Sequence, residues 1–195
     1  MRKIIIKKEE YYEDCWLYIL LLTTLVILLE SLKTYTFKVG EVHLTYAIFL
    51  LPFVYYIVNY IAKKYDYKKA IAAISISGVI FVCFSAIISF AMGERLFLSS
   101  ISGEFCGYII SQFVNLTIYQ FLLNNTKAPI ILVFLNYLFA LIVYYMIYTL
   151  IYLNIMILDY YWEGYFTTLA IQFFICIPIA ILDHRIQRGR NKIKK

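Results

Sequence analysis

An all-α, polytopic membrane protein with six transmembrane helices and both termini cytoplasmic is the fold class this sequence predicts. Three observations carry that prediction. First, apolar stretches fall at about residues 16–32, 44–62, 70–92, 105–123, 129–158 and 165–182 of the 195. A helix needs about 20 apolar residues to cross the hydrocarbon core of a bilayer. Second, the stretches are too long for barrel strands and lack their alternation, and only helices or closed barrels satisfy the backbone in lipid. Third, the basic residues sort by side. With six spans drawn, 15 of the 18 Lys and Arg residues share a side, and only Lys33, Lys38 and Arg95 fall on the other. Loops on the cytoplasmic side accumulate Lys and Arg, so both termini are expected there. One span more or fewer would scramble this sorting.

The chain opens with Arg2, Lys3, Lys7 and Lys8, then the acidic cluster Glu9, Glu10, Glu13 and Asp14. That cluster, with no small-residue cleavage site after the first apolar run, predicts a retained helix rather than a signal peptide. The second span carries Pro52, expected to perturb its helix, then Tyr55, Tyr56, Asn59 and Lys63, whose long side chain is expected to snorkel to the surface. A basic loop with Lys63, Lys64, Lys68 and Lys69 leads into the third, apolar span. The polar loop GERLFLSSISGE would be the midpoint of an inverted repeat of two three-span halves, which geometry permits and the sequence does not demonstrate. The fourth span follows. The fifth, about 30 residues long, exceeds one perpendicular crossing and is expected to tilt or project. The sixth brings Thr168, Gln172 and Pro178 before the basic tail.

Composition limits what else the chain can be. At 63% hydrophobic and 15% charged, residues 1–195 read as a single integral-membrane domain without a soluble one. The net charge of +6 is the positive-inside bias, and it fits a lipid bilayer as partner rather than nucleic acid. The four cysteines, Cys15, Cys83, Cys106 and Cys176, fall on different spans, and His43 and His184 lie on opposite sides. No metal site or cofactor is expected, and the thiols read as packing groups. Many of the 20 tyrosines sit at span ends, where amphipathic rings prefer the headgroup region. The spans hold no catalytic triad, HExxH, paired carboxylates or phosphate loop, so no enzyme and no catalytic residue is expected.

Polar groups at membrane depth face a bundle interior or a cavity. In the fourth span Glu104, Tyr108, Ser111, Gln112, Asn115 and Tyr119 recur at helical spacing and form one stripe. Two readings stay open. The amides are inter-helix ties, worth about 0.6 kcal/mol on average, or they line a solvated or ligand-bearing cavity. Amides offer a donor and an acceptor to the edge of a planar ring, and aromatic faces stack on it. A small, neutral, flat heterocycle suits this set. Glu104, near the outer edge, is the one ionisable group in it and the candidate for coupling to protons.

The segment LLPFVYYIVNYIAKKYDYKKA (residues 50–70) resembles the signature of the vitamin uptake family that includes the queuosine precursor transporters. Pro52 and Phe53 match its start, and Tyr65, Tyr67, Lys68 and Lys69 its end. GYIISQFVNLTIYQFL is similar to a second family segment, with Gln112 at the family Gln, and Asn136 matches a family Asn. Asn59 and Asn115 stand where the family has Asp, which keeps shape and hydrogen bonding and removes charge. Lys63 stands for an acid, Asp66 for a Gly, and Leu138 and Phe139 for Ser and Asp.

The resemblance implies a membrane permease for a queuosine precursor (a 7-deazapurine) or a related vitamin. Asn59, Gln112, Asn115 and Asn136 would hydrogen-bond the ring, and Tyr56, Tyr108 and Tyr119 would stack or gate. A non-transporting membrane scaffold and the membrane-embedded binding subunit of a multisubunit vitamin importer are the alternatives. A homo-oligomer is compatible with any of the three.

Overall fold

The computed structural model describes residues 2–91, 98–124, 129–152 and 158–193, with side chains described for 15–91, 101–123, 129–151 and 164–185. Six long helices account for most of it: α1 (Arg2–Leu32), α2 (Leu51–Lys64), α3 (Tyr67–Ala91), α4 (Leu98–Asn124), α5 (Ile130–Tyr152) and α6 (Leu158–Ile193). Six helical segments are long and apolar enough to cross a membrane: Cys15–Leu32, Tyr46–Lys64, Tyr67–Ala91, Ile101–Leu123, Ile130–Ile151 and Gly164–Arg185.

Two features of the second span differ from the sequence reading. Residues 44 and 45 do not open the second span; they end an antiparallel hairpin of β1 (Thr36–Val39) and β2 (Val42–Thr45). Val39 pairs with Val42, leaving Gly40 and Glu41 as the loop, and Gly40 takes φ +61°, a conformation glycine adopts without steric cost. Pro52 does not perturb α2. It sits in the first turn, where its missing N–H is an orphan anyway. Of the fifth run, α5 covers Ile130–Tyr152, and α6 has begun by Leu158. Residues 153–157, like Met92, Arg95 and Lys127, lie outside the described residues.

Local chemistry sets several of the joints. Asp66 precedes α3 and its carboxylate accepts the Lys69 backbone N–H at 2.7 Å, an N-cap. A 3-10 turn (Tyr46–Phe49) carries the chain from the hairpin into α2. Pro52 cannot bond the carbonyl four residues earlier, that of Ile48, and the Gln172 amide donates to that carbonyl at 3.1 Å. A sixth-span residue thus completes the entry of the second helix.

α2 is the centre of the bundle: it touches all five other helices and is the most buried of the six spans. The most extensive helix pair is α4 with α5. Gly103 and Gly107 permit it, since a Cβ on Gly107 would lie 3.0 Å from the Tyr144 carbonyl oxygen. Contacts of Lys33 with Glu104 and of Ser85 with Glu30 gather the end of α1, the end of α3 and the start of α4 beside the hairpin. We call this the hairpin end. Tyr119 and Tyr137 meet Asp183 at the opposite end.

Candidate functional site

Polar side chains form a column through the bundle, in layers from the hairpin end to the opposite one. The top layer is ionic. Lys33 pairs with Glu30 and, at 2.7 Å, with Glu104, and it lies 4.9 Å from the centre of the Phe81 ring. Ser85 donates to the second oxygen of Glu30 at 2.8 Å. Burial pulls the Lys33 ammonium's pKa down, but the carboxylates of Glu104 and Glu30 outweigh it and hold it above the ordinary lysine value.

Beside this layer lies a cavity of about 710 Å³, within the size range of small-molecule sites. Lys33, Glu104 and the hairpin residues Lys38 and Glu41 supply its charges, His43 also lines it, and Tyr144, Tyr145, Tyr148 and Tyr165 supply aromatic walls. Gln172 is buried behind it and donates to the Tyr145 hydroxyl at 3.0 Å.

The second layer is hydroxylic. Tyr108 and Ser77 share a hydrogen bond of 2.6 Å, and the Tyr108 ring stacks on Phe81 with centroids 5.6 Å apart. Tyr55 donates to Ser111 at 2.8 Å. The third layer is amide. Asn115 Oδ1 accepts from Asn59 at 3.2 Å and from Asn136 at 2.8 Å, while Asn115 Nδ2 donates to Asn59 Oδ1 at 2.8 Å. Three helices are tied through one side chain. Gln112 differs: it is fully buried, and neither its amide oxygen nor its nitrogen meets a partner among the described residues. The Asn136 oxygen is likewise unpaired. A buried polar group without a partner costs about 1–3 kcal/mol, so such groups mark a place where something polar is accommodated.

The fourth layer is a carboxylate clamp. Asp183 is 2% exposed; Tyr119 donates to one of its oxygens and Tyr137 to the other, each at 2.8 Å. Tyr137 also faces Asn59, which joins the clamp to the amide layer.

Of the residues singled out in the sequence, Asn59, Asn115 and Asn136 come together, and Tyr119 joins the clamp below them. Tyr108 turns to Ser77 on α3, because Gly78 lets α3 and α4 approach closely there. Tyr56 is half-buried beside Tyr60, ring centroids 6.3 Å apart, and makes none of the amide bonds. The cavity does not run along the stripe: of these residues only Glu104 lines it.

Glu104, the coupling candidate from the sequence, is not the one carboxylate inside the bundle. Glu30, 5% exposed, and Asp183 are buried more deeply than Glu104. Asp183 escaped notice because LDHR reads as the start of a basic tail. The signal was there, since Thr168, Gln172, Cys176, Ile179 and Asp183 share one helical face, and all five are buried.

Compared with known proteins, the chain matches no protein-family model, and no curated protein or solved structure is significantly similar to it.

Proposed function

We propose that the chain is a permease of the cytoplasmic membrane, with both termini in the cytoplasm, for a small neutral planar heterocycle. A queuosine precursor of the 7-deazapurine type or a related vitamin is the foremost candidate, on the resemblance of residues 50–70 and 107–122 to that family. The observation that carries the reading is Gln112: a donor and an acceptor, fully buried and unpaired among the described residues, sit in a column whose top layer adjoins the tyrosine-walled cavity at the hairpin end. One amide presenting both groups matches the edge of a ring that itself carries a donor and an acceptor. The heterocycle enters at the cavity, stacks on its tyrosines, and passes to the amide layer. Charges on the cavity walls include both signs, which favours a neutral cargo over an anion or a cation.

The mutual bonds of Asn59, Asn115 and Asn136 favour a second reading, a scaffold in which polar groups only tie helices. Uptake of a radiolabelled 7-deazapurine precursor by a queuosine-auxotrophic host separates the two. The permease gives uptake that depends on this chain and is lost in Gln112→Leu; the scaffold gives none. Uptake that appears only with an added ATPase partner would select the importer-subunit alternative.

A further inference from the structure

We propose that the Tyr119–Asp183–Tyr137 cluster is a gate. It closes the bundle at the end opposite the cavity, and it parts by bending α6 at Pro178, opening the amide layer to that end. The inference rests on the permease reading, which requires access from both sides.

Three observations converge on it. The cavity's lining residues all belong to the hairpin end, so a route to the other end has to pass the amide layer and then Asp183. At that level the bundle is tightly closed: Asp183 accepts from α4 and α5 at once, and Leu122 and Val133, farther along, are buried as well. The third observation is Pro178, which lies within α6 five residues before Asp183. A proline inside a helix removes the bond to the carbonyl four residues back, here that of Phe174, and lowers resistance to bending at that point. A bend there carries Asp183 away from both tyrosines together.

The chemistry suits a reversible closure. A carboxylate and two phenols that separate into water exchange their mutual bonds for equally good ones to solvent. An apolar seam of the same extent would expose hydrocarbon. Because Tyr137 also faces Asn59, movement of the clamp reaches the amide layer directly.

The test needs no substrate. Cys15, Cys83, Cys106 and Cys176 are free thiols and are replaced by alanine. A single reporter, Ala140→Cys, is placed on a fully buried α5 position one turn from Asn136 toward the hairpin end. A membrane-impermeant maleimide is added to one side or the other of oriented proteoliposomes. Asp183→Ala should raise labelling from the side opposite the hairpin about tenfold, the factor given by about 1.4 kcal/mol of lost closing free energy. Labelling from the hairpin side should not change. The Tyr119→Phe, Tyr137→Phe double variant keeps the packing, removes both bonds, and should do the same.

Unchanged labelling, or an equal rise from both sides, overturns the gate. Failure of the double variant to fold also overturns it, because the cluster is then a structural tie. A chain that opens in this way yet carries no heterocycle would sink the permease reading alone.

Discussion

Lys33 Nζ sits 2.7 Å from Glu104 Oε2 while pairing also with Glu30, so one ammonium at the end of α1 joins two carboxylates on two helices. It lies at the mouth of the cavity and holds the start of α4, and with it the polar stripe, in register with α1.

The pH dependence of that tie follows from the raised Lys33 pKa. An amine with a raised folded-state pKa contributes stability that is complete below the unfolded-state value, about 10.4, and is lost as pH rises through the folded-state value. Lys33→Met should therefore cost a constant amount from neutral pH to about pH 10, and less above it, where the native lysine also loses its charge. Removing one partner from a buried ion pair costs about 3–5 kcal/mol. The loss here should fall at or below the low end, since Lys33 keeps 21% of its side chain exposed. Thermal unfolding of both proteins in detergent across this pH range measures the difference; a gap that widens above pH 10 contradicts the assignment.

Hydropathy made the helices legible because each span is one long apolar run, and the fourth-span stripe was legible because helical spacing depends only on the residues themselves. Partners were not. Nothing in residues 104–119 says that Asn115 meets Asn59 and Asn136 while Gln112 meets no partner among the described residues, since that depends on how α2 and α5 are rotated. The hairpin was hidden because its strands are four residues each, too short for alternation to stand out beside an apolar run. Asp183 was hidden by its neighbours: a carboxylate next to His184 and Arg185 reads as solvated until the helix face it shares with Gln172 is traced.

Gln112 and Asn115 are neighbours in sequence and should respond oppositely to leucine. Gln112→Leu removes two unpaired polar atoms from a buried position, and relieving one such group is worth about 1–3 kcal/mol. The variant should unfold at the same temperature or higher, while losing ligand binding. Asn115→Leu strands amide groups of both Asn59 and Asn136 and should destabilise by about 2 kcal/mol or more on the same scale. Unfolding in detergent together with binding of a 7-deazapurine reads both. Equal destabilisation by the two substitutions would show that Gln112 is a tie like the others.

The α4–α5 contact should be more sensitive at Gly107 than at Gly103. A Cβ on Gly107 meets the Tyr144 backbone oxygen at 3.0 Å, and backbone yields little; on Gly103 the nearest atoms are at 3.4 Å, ordinary contact. Overpacking typically costs about 1–3 kcal/mol. Gly107→Ala is expected within that range and Gly103→Ala near zero. Unfolding temperatures of the two single variants check the ordering.

Single cysteines at Lys38 and Glu41, both exposed on the hairpin, should be labelled by an impermeant maleimide added to intact cells. A cysteine beyond Arg190 should be labelled only after the cells are opened. The expectation rests on the sorting of 15 of 18 basic residues to one side. External labelling of the tail would reverse the orientation and, with it, the side from which the cavity opens.

Transport, on the permease reading, should be equilibrative. Asn59 and Asn115 are neutral at every pH, and on the resemblance of residues 50–70 and 107–122 they stand where that family would have carboxylates. Glu104, the carboxylate that the sequence offered for coupling, is engaged by Lys33, and moving a proton onto it would leave that ammonium with Glu30 alone. Accumulation in cells would then arise from metabolic trapping after entry. Proteoliposomes loaded at one pH and diluted into another test the point with a neutral 7-deazapurine: entry should stop at equal concentrations whatever the direction of the gradient. Uphill accumulation lost in Glu104→Gln would make Glu104 the coupling residue after all. Uphill accumulation lost in Asp183→Asn and retained in Glu104→Gln would move that role to the clamp at the other end.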